Sequence, residues 1–206
     1  MTLRRGFKPR RPLTPPVNFP EMMDRARSLP DVFEVVKLAA SQYLGRTRGG
    51  LMLALADLGN YPNGWFGAFY VVASNVIVMN KVPLMRIKDT QPHLYKYYAF
   101  HVLLHEYLHS LGFVDEIRCR TLALEVSRSL FGEEHVVTQI AEDVSRFFPS
   151  LVYPDAAWQP EELKFEIVPD FDRGNTGRCS GSGSSTGSRA TTRSSRYCSP
   201  PSGWRT

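Results

Sequence analysis

Residues 101–116 read His-Val-Leu-Leu-His-Glu-Tyr-Leu-His-Ser-Leu-Gly-Phe-Val-Asp-Glu. His105, Glu106 and His109 form an HExxH motif. On a helix, side chains at i and i+4 stand one above the other on the same face, so His105 and His109 can aim imidazole nitrogens at one point. Two imidazoles suit Zn²⁺, an ion content with tetrahedral N and O ligands. Glu106 lies about 100° round the helix from His105. It is expected to be the general base, taking a proton from a water on the metal, rather than a ligand. That geometry gives the motif its peptidase reading.

The residues around the motif (Val102, Leu103, Leu104, Tyr107, Leu108, Ser110, Leu111) include no charge and no proline. A helix apolar nearly all round is expected to be buried. Buried histidines and a buried glutamate need partners, and a metal supplies one.

A third ligand is required. Gly112 follows His109 by three residues and Asp115 by six. Glycine adopts the left-handed conformation that ends a helix and reverses the chain, so a side chain at 115 can return to the metal. Asp115 also suits an N-cap for a helix beginning near Ile117. Glu125 is the alternative third ligand, Glu116 a supporting or capping group, and Cys119 a further candidate.

The string His105-Glu106-x-x-His109-x-x-Gly112-x-x-Asp115 resembles the extended motif of the metzincin clan of zinc peptidases, in which the final position is histidine or, in some families, aspartate. The resemblance covers eleven residues. Metzincins also carry a methionine in a turn downstream of the motif; the methionines here (Met1, Met22, Met23, Met52, Met79, Met85) all lie upstream. The broader zincin superfamily is therefore the name the resemblance supports. In its gluzincin branch a glutamate on a later helix is the third ligand, which is the place of Glu125. The resemblance implies zinc as cofactor, a peptide or protein as substrate, and Glu106 as the catalytic residue, with His105, His109 and Asp115 as metal ligands.

The 206 residues suggest one domain with appendages. The net charge of +5 belongs to the ends: residues 1–16 hold five basic residues and 173–206 hold six, with no acid in either. Residues 17–172 carry all 20 acids against 14 basic residues, net −6. An acidic body argues against RNA-hydrolysing metalloproteins of similar ligand spacing, which also lack the glutamate beside the first histidine; nucleic acid is expected to bind only weakly, through the basic tails. Three cysteines with no CxxC imply neither a disulfide framework nor a cysteine zinc site. No secretory signal or membrane span is expected, and a cytoplasmic location follows. A non-catalytic or regulatory zinc protein that recognises a partner, or a metal-dependent hydrolase of another substrate, are the rival functions.

The expected organisation is a Pro- and Arg-rich tail over 1–20, a metal-binding domain over 21–172, and a Ser/Gly/Arg-rich disordered tail over 173–206. Within the domain we expect a short helix at 21–28 and a helix at 31–45 capped by Asp31. Strands follow at 51–58, 65–73 and 76–80. Pro83 ends the last strand, a loop covers 84–92, and the motif helix runs to Leu111. Helices at about 117–131 and 133–148 and a short strand at 164–168 complete the domain. The class is α+β. The order resembles a minimal zincin core, in which a small mixed sheet precedes the active-site helix and its edge strand binds an extended peptide; Val76–Asn80 is the expected edge. Tyr107 and Tyr153 are candidate oxyanion donors. His101 is expected to be a buried, hydrogen-bonded histidine, and His93 and His135 structural or exposed.

Overall fold

A computed structural model describes residues 17–59, 67–149, 151 and 162–173. Most of the two expected tails, and Tyr153, lie outside these residues.

The chain begins with α1 (Phe19–Arg25), capped by the Asn18 side chain. The first helix therefore reaches back into the segment expected to be tail. In α2 (Leu29–Leu44) the cap is Ser28 rather than Asp31. Asp31 is the third helical residue and returns the bond, accepting from the Ser28 N–H while the Ser28 hydroxyl accepts from its own. This reciprocal capping box satisfies two amides that the helix cannot. Gly45, at φ +64°, closes the helix.

Four strands follow the order β2-β3-β1-β4: β1 (Met52–Ala56), β2 (Ala68–Tyr70), β3 (Val76–Asn80) and β4 (Phe165–Ile167). β1 and β3 are parallel, and the two outer pairings are antiparallel. The fold is α+β with a small mixed sheet, as expected. The edge assignment needs correction. Val76–Asn80 is internal, because β2 folds back as the first arm of a hairpin and occupies its free side. The Gly67 carbonyl accepts from the Asn80 N–H at 2.8 Å, and the Val71 N–H donates to the Val76 carbonyl at 3.1 Å. Positions 67, 69 and 71 thus spend their backbone groups on β3. Ala68 and Tyr70 turn theirs to the outer edge.

A second correction concerns 84–92. Asn80 ends β3 and caps α3 (Lys81–Thr90) at once, its side chain accepting from the Val82 N–H at 3.1 Å. Pro83 falls in the first turn, where a missing N–H costs nothing, so it helps to start a helix instead of ending a strand in a loop.

A short 3₁₀ turn (Pro92–Leu94) leads into α4 (Tyr95–Ser110). Every residue from Tyr98 to Leu108 is buried. α4 is the central element, packed between α2, α5 (Glu116–Phe131), α6 (Val136–Glu142) and strand β2. The single helix expected at 133–148 is two, α6 and α7 (Val144–Phe147). Asp143 leaves helical geometry between them, and its side chain caps α7.

After β4 the chain is strapped across α2. Phe171 stacks on Phe33 with ring centroids 4.0 Å apart. Asp172 pairs with Lys37 and accepts from the Leu51 N–H at 3.2 Å. Arg173 reaches Asp31 at 2.6 Å, so the domain includes a residue expected to open the tail. No helix among the described residues is long and apolar enough to cross a membrane.

Candidate metal centre

The last two turns of α4 and the first residue of α5 build the site. α4 ends in a Schellman turn: the Gly112 N–H donates to the His109 carbonyl at 3.0 Å and the Phe113 N–H to the Leu108 carbonyl at 3.2 Å. Gly112 sits at φ +97°, a region that favours glycine. The reversal carries the chain back over the histidines, and α5 begins four residues later.

The carboxylate delivered there belongs to Glu116. Its Oε2 lies 3.1 Å from His105 Nε2, and its Oε1 lies 3.2 Å from His109 Nε2. The two Nε2 atoms are 3.1 Å apart. Among the described residues these three side chains form a group able to hold a metal ion. Asp115, the third ligand expected, is not in it. Its carboxylate accepts from the Arg118 N–H at 2.7 Å as the N-cap of α5. Glu125, the alternative, faces the Tyr43 hydroxyl at 3.4 Å. The physical reason is local. Aspartate before a helix turns its short side chain onto the helix's own amides. The next residue begins the helix with a longer side chain free to point back at α4. The Asp-Glu pair at a helix start was the available signal.

Three donor atoms around one zinc at about 2.0–2.1 Å would sit roughly 3.3 Å apart in a tetrahedron, close to the separations found. The chemistry of the donors agrees. His109 Nδ1 lies 2.8 Å from the Phe113 carbonyl oxygen. A carbonyl only accepts, so Nδ1 carries the proton and neutral His109 leaves Nε2 bare toward the cluster, the second-sphere arrangement common for ligating histidine. Burial lowers the His105 pKa and so favours neutral imidazole, although Glu116 opposes this. The hydrogen bond with His105 holds the Glu116 carboxyl below its usual value despite partial burial. Burial thus favours neutral His105 and the bond keeps Glu116 a carboxylate, and a bound ion would take the place of the proton that His105 Nε2 shares with Glu116.

Glu106 is 3% exposed. Burial first, then the nearby Glu116 carboxylate, pushes its pKa up to about 8, and the Tyr70 backbone N–H bonded to it opposes that rise. The bond comes from the outer edge of β2. A cleft of about 540 Å³ opens here, and β2, Glu106, His109, Gly112 and Glu116 all contribute to its lining.

The remaining candidates separate cleanly. Tyr107 is fully buried; its hydroxyl donates to the Arg48 carbonyl at 3.0 Å and accepts from the Arg48 N–H at 2.7 Å, and it does not line the cleft. His101 is buried as expected, but among the described residues its Nδ1 has no hydrogen-bond partner, and burial drives its pKa down to about 3. Cys119 Sγ donates to the Phe113 carbonyl at 3.3 Å, and burial pushes its thiol up to about 12. His135 caps α6 and His93 is exposed.

No protein-family model matches the chain, and no curated protein or solved structure is significantly similar to it.

Proposed function

We propose that this chain is a zinc-dependent peptidase of the zincin type, with His105, His109 and Glu116 as ligands and Glu106 as the general base. A zinc ion in that triad would supply Lewis acidity, polarising a carbonyl and lowering the pKa of a water. The observation that carries the reading is the position of Glu106: a buried carboxylate in the same cleft as three convergent ligands, held by an edge-strand amide.

With a proton affinity near neutrality, Glu106 is suited to take a proton in one step and return it to a leaving amine in the next. A nearby cation favours its ionised form, the form a base needs. The Tyr70 N–H fixes the orientation of the carboxylate. The outer edge of β2 then offers the Ala68 N–H and carbonyl and the Tyr70 carbonyl to an extended peptide, which can pair with them by strand addition. Among the described residues three candidate ligands converge beside a cleft, the pattern of catalytic zinc sites, whereas structural sites are closed by a fourth. That favours catalysis over a purely partner-sensing role.

The test compares wild type and Glu106→Gln, both loaded with zinc, on a complex peptide mixture read by mass spectrometry. Wild type is expected to cleave. Glu106→Gln is expected to keep its zinc and lose about 10²–10⁴ in rate. Equal rates for the two proteins would refute the assignment of the base, and no cleavage by wild type would refute the peptidase reading.

A further inference from the structure

Arg48 lies in the segment between α2 and β1 and lines the same cleft. Its guanidinium bridges the β2–β3 hairpin and the end of α4. Nη1 donates to the Tyr70 hydroxyl on β2 at 2.7 Å and to the Ser110 carbonyl at the end of α4 at 2.8 Å. Nη2 donates to the Ser74 carbonyl in the hairpin turn at 2.6 Å. The guanidinium also sits 5.4 Å from the centre of the Tyr70 ring. The Arg48 backbone is pinned on both sides by the Tyr107 hydroxyl.

Every one of those acceptors is neutral. Among the described residues no carboxylate pairs with Arg48, while the other well-held cations, Lys37 and Arg173, have acid partners. Among the described residues three of the five guanidinium N–H groups are engaged, which leaves two donors and a full positive charge. A part-buried charge without a counter-ion is costly, and a bound anion relieves that cost. The side chain is already held in place, so little rotamer entropy is lost when an anion binds.

We propose that Arg48 is a specificity-determining residue that receives a carboxylate of the substrate, so that the cleft prefers peptides with a negative charge near the scissile bond. The carboxylate comes from an acidic side chain or from a free C-terminus. The inference rests on the peptidase reading for the word substrate, but recognition is measurable without turnover. Glu106 and Glu116 share the cleft and repel an acidic peptide, so the preference belongs to the metal-loaded protein.

The experiment uses the full chain carrying Glu106→Gln, loaded with zinc, and fluorescence anisotropy. The probes are fluorescein-labelled alanine heptapeptide amides with a single Glu, or a single Gln, stepped through each position, and the all-alanine heptapeptide with a free C-terminal carboxylate. In at least one register Glu is expected to bind about tenfold or more tighter than Gln, or the free acid than its amide, the scale of a charge-assisted bond. Which arm responds identifies the source of the carboxylate. Adding Arg48→Gln should bring that ratio to about one, and Arg48→Lys should keep part of it. A residue that only clamps the cleft walls would weaken acid and amide peptides alike and leave the ratio unchanged. A ratio of one with Arg48 present, a ratio that survives Arg48→Gln, or no binding by any probe overturns the proposal. The peptidase reading stands or falls separately, on cleavage by the wild-type protein.

Discussion

The imidazole of His109 is oriented by the carbonyl of Phe113, four residues further on, at 2.8 Å from its Nδ1. One turn of chain thus serves two purposes. The carbonyl that fixes the tautomer of His109 belongs to the same reversal that brings Glu116 to both histidines. If the three side chains hold a metal, its affinity is expected to be coupled to the conformation of residues 111–116.

The ligand set can be read from metal content. Wild type is expected to hold close to one equivalent of zinc. His105→Ala, His109→Ala and Glu116→Ala should each lose it. Asp115→Ala should keep it while losing about 1 kcal/mol of stability, the usual cost of an N-cap. Inductively coupled plasma mass spectrometry with thermal melts separates the outcomes. Zinc lost by Asp115→Ala and kept by Glu116→Ala would reverse the assignment.

Gly112→Ala tests the coupling. A Cβ at this position meets nothing within 4 Å, so the penalty is conformational rather than steric. The φ of +97° should cost the variant roughly 1–2 kcal/mol. Relaxation of that strain moves Glu116, so zinc affinity should fall together with stability. An unaltered zinc Kd in a destabilised variant would show that the turn and the site are independent.

Tyr107→Phe removes the hydroxyl that satisfies both backbone groups of Arg48. Leaving those groups without it should cost about 1–3 kcal/mol. Zinc content should not change. If Tyr107 stabilised an oxyanion, hydrolysis would collapse at temperatures where the variant remains folded; a rate within a few-fold of wild type is expected instead.

Acid should weaken the strap over α2. Hydrogen bonds with the Arg27 backbone and the Ser28 side chain, with Arg173 beside it, lower the pKa of Asp31 from 3.8 to about 2. Asp172 is also lowered: its burial acts to raise it, and Lys37 and the Leu51 N–H more than offset that. Carboxylates depressed in the folded state stabilise it fully above their unfolded pKa, and that stability is lost as pH falls through the folded value. Wild type should therefore exceed Asp31→Asn in stability above about pH 4, and the gap should close as the pH approaches 2. Urea melts across pH 2–7 provide the check; a gap that persists at pH 2 would mean the cap does not depend on charge.

Much of the site is legible because it is local. The i, i+4 spacing of His105 and His109, the glycine that ends α4 and the acidic residues that start α5 are all set within sixteen residues of chain, where helix periodicity and capping preferences decide the geometry. The strand at 76–80 and the motif helix follow from period and composition in the same way. Tertiary structure decided the rest. Capping alone turns Asp115 onto the amides of its own helix, but whether the Glu116 carboxylate then reaches both histidines depends on how α5 packs against α4. Which strand is the edge depends on where β2 returns, and no pattern within Val76–Asn80 records its neighbours. The placing of Arg48 depends on two segments far apart in the chain, the β2–β3 hairpin and the end of α4, meeting at one guanidinium. Local backbone preferences are written in neighbouring residues, whereas contacts between distant segments are chosen by the packing of the whole core.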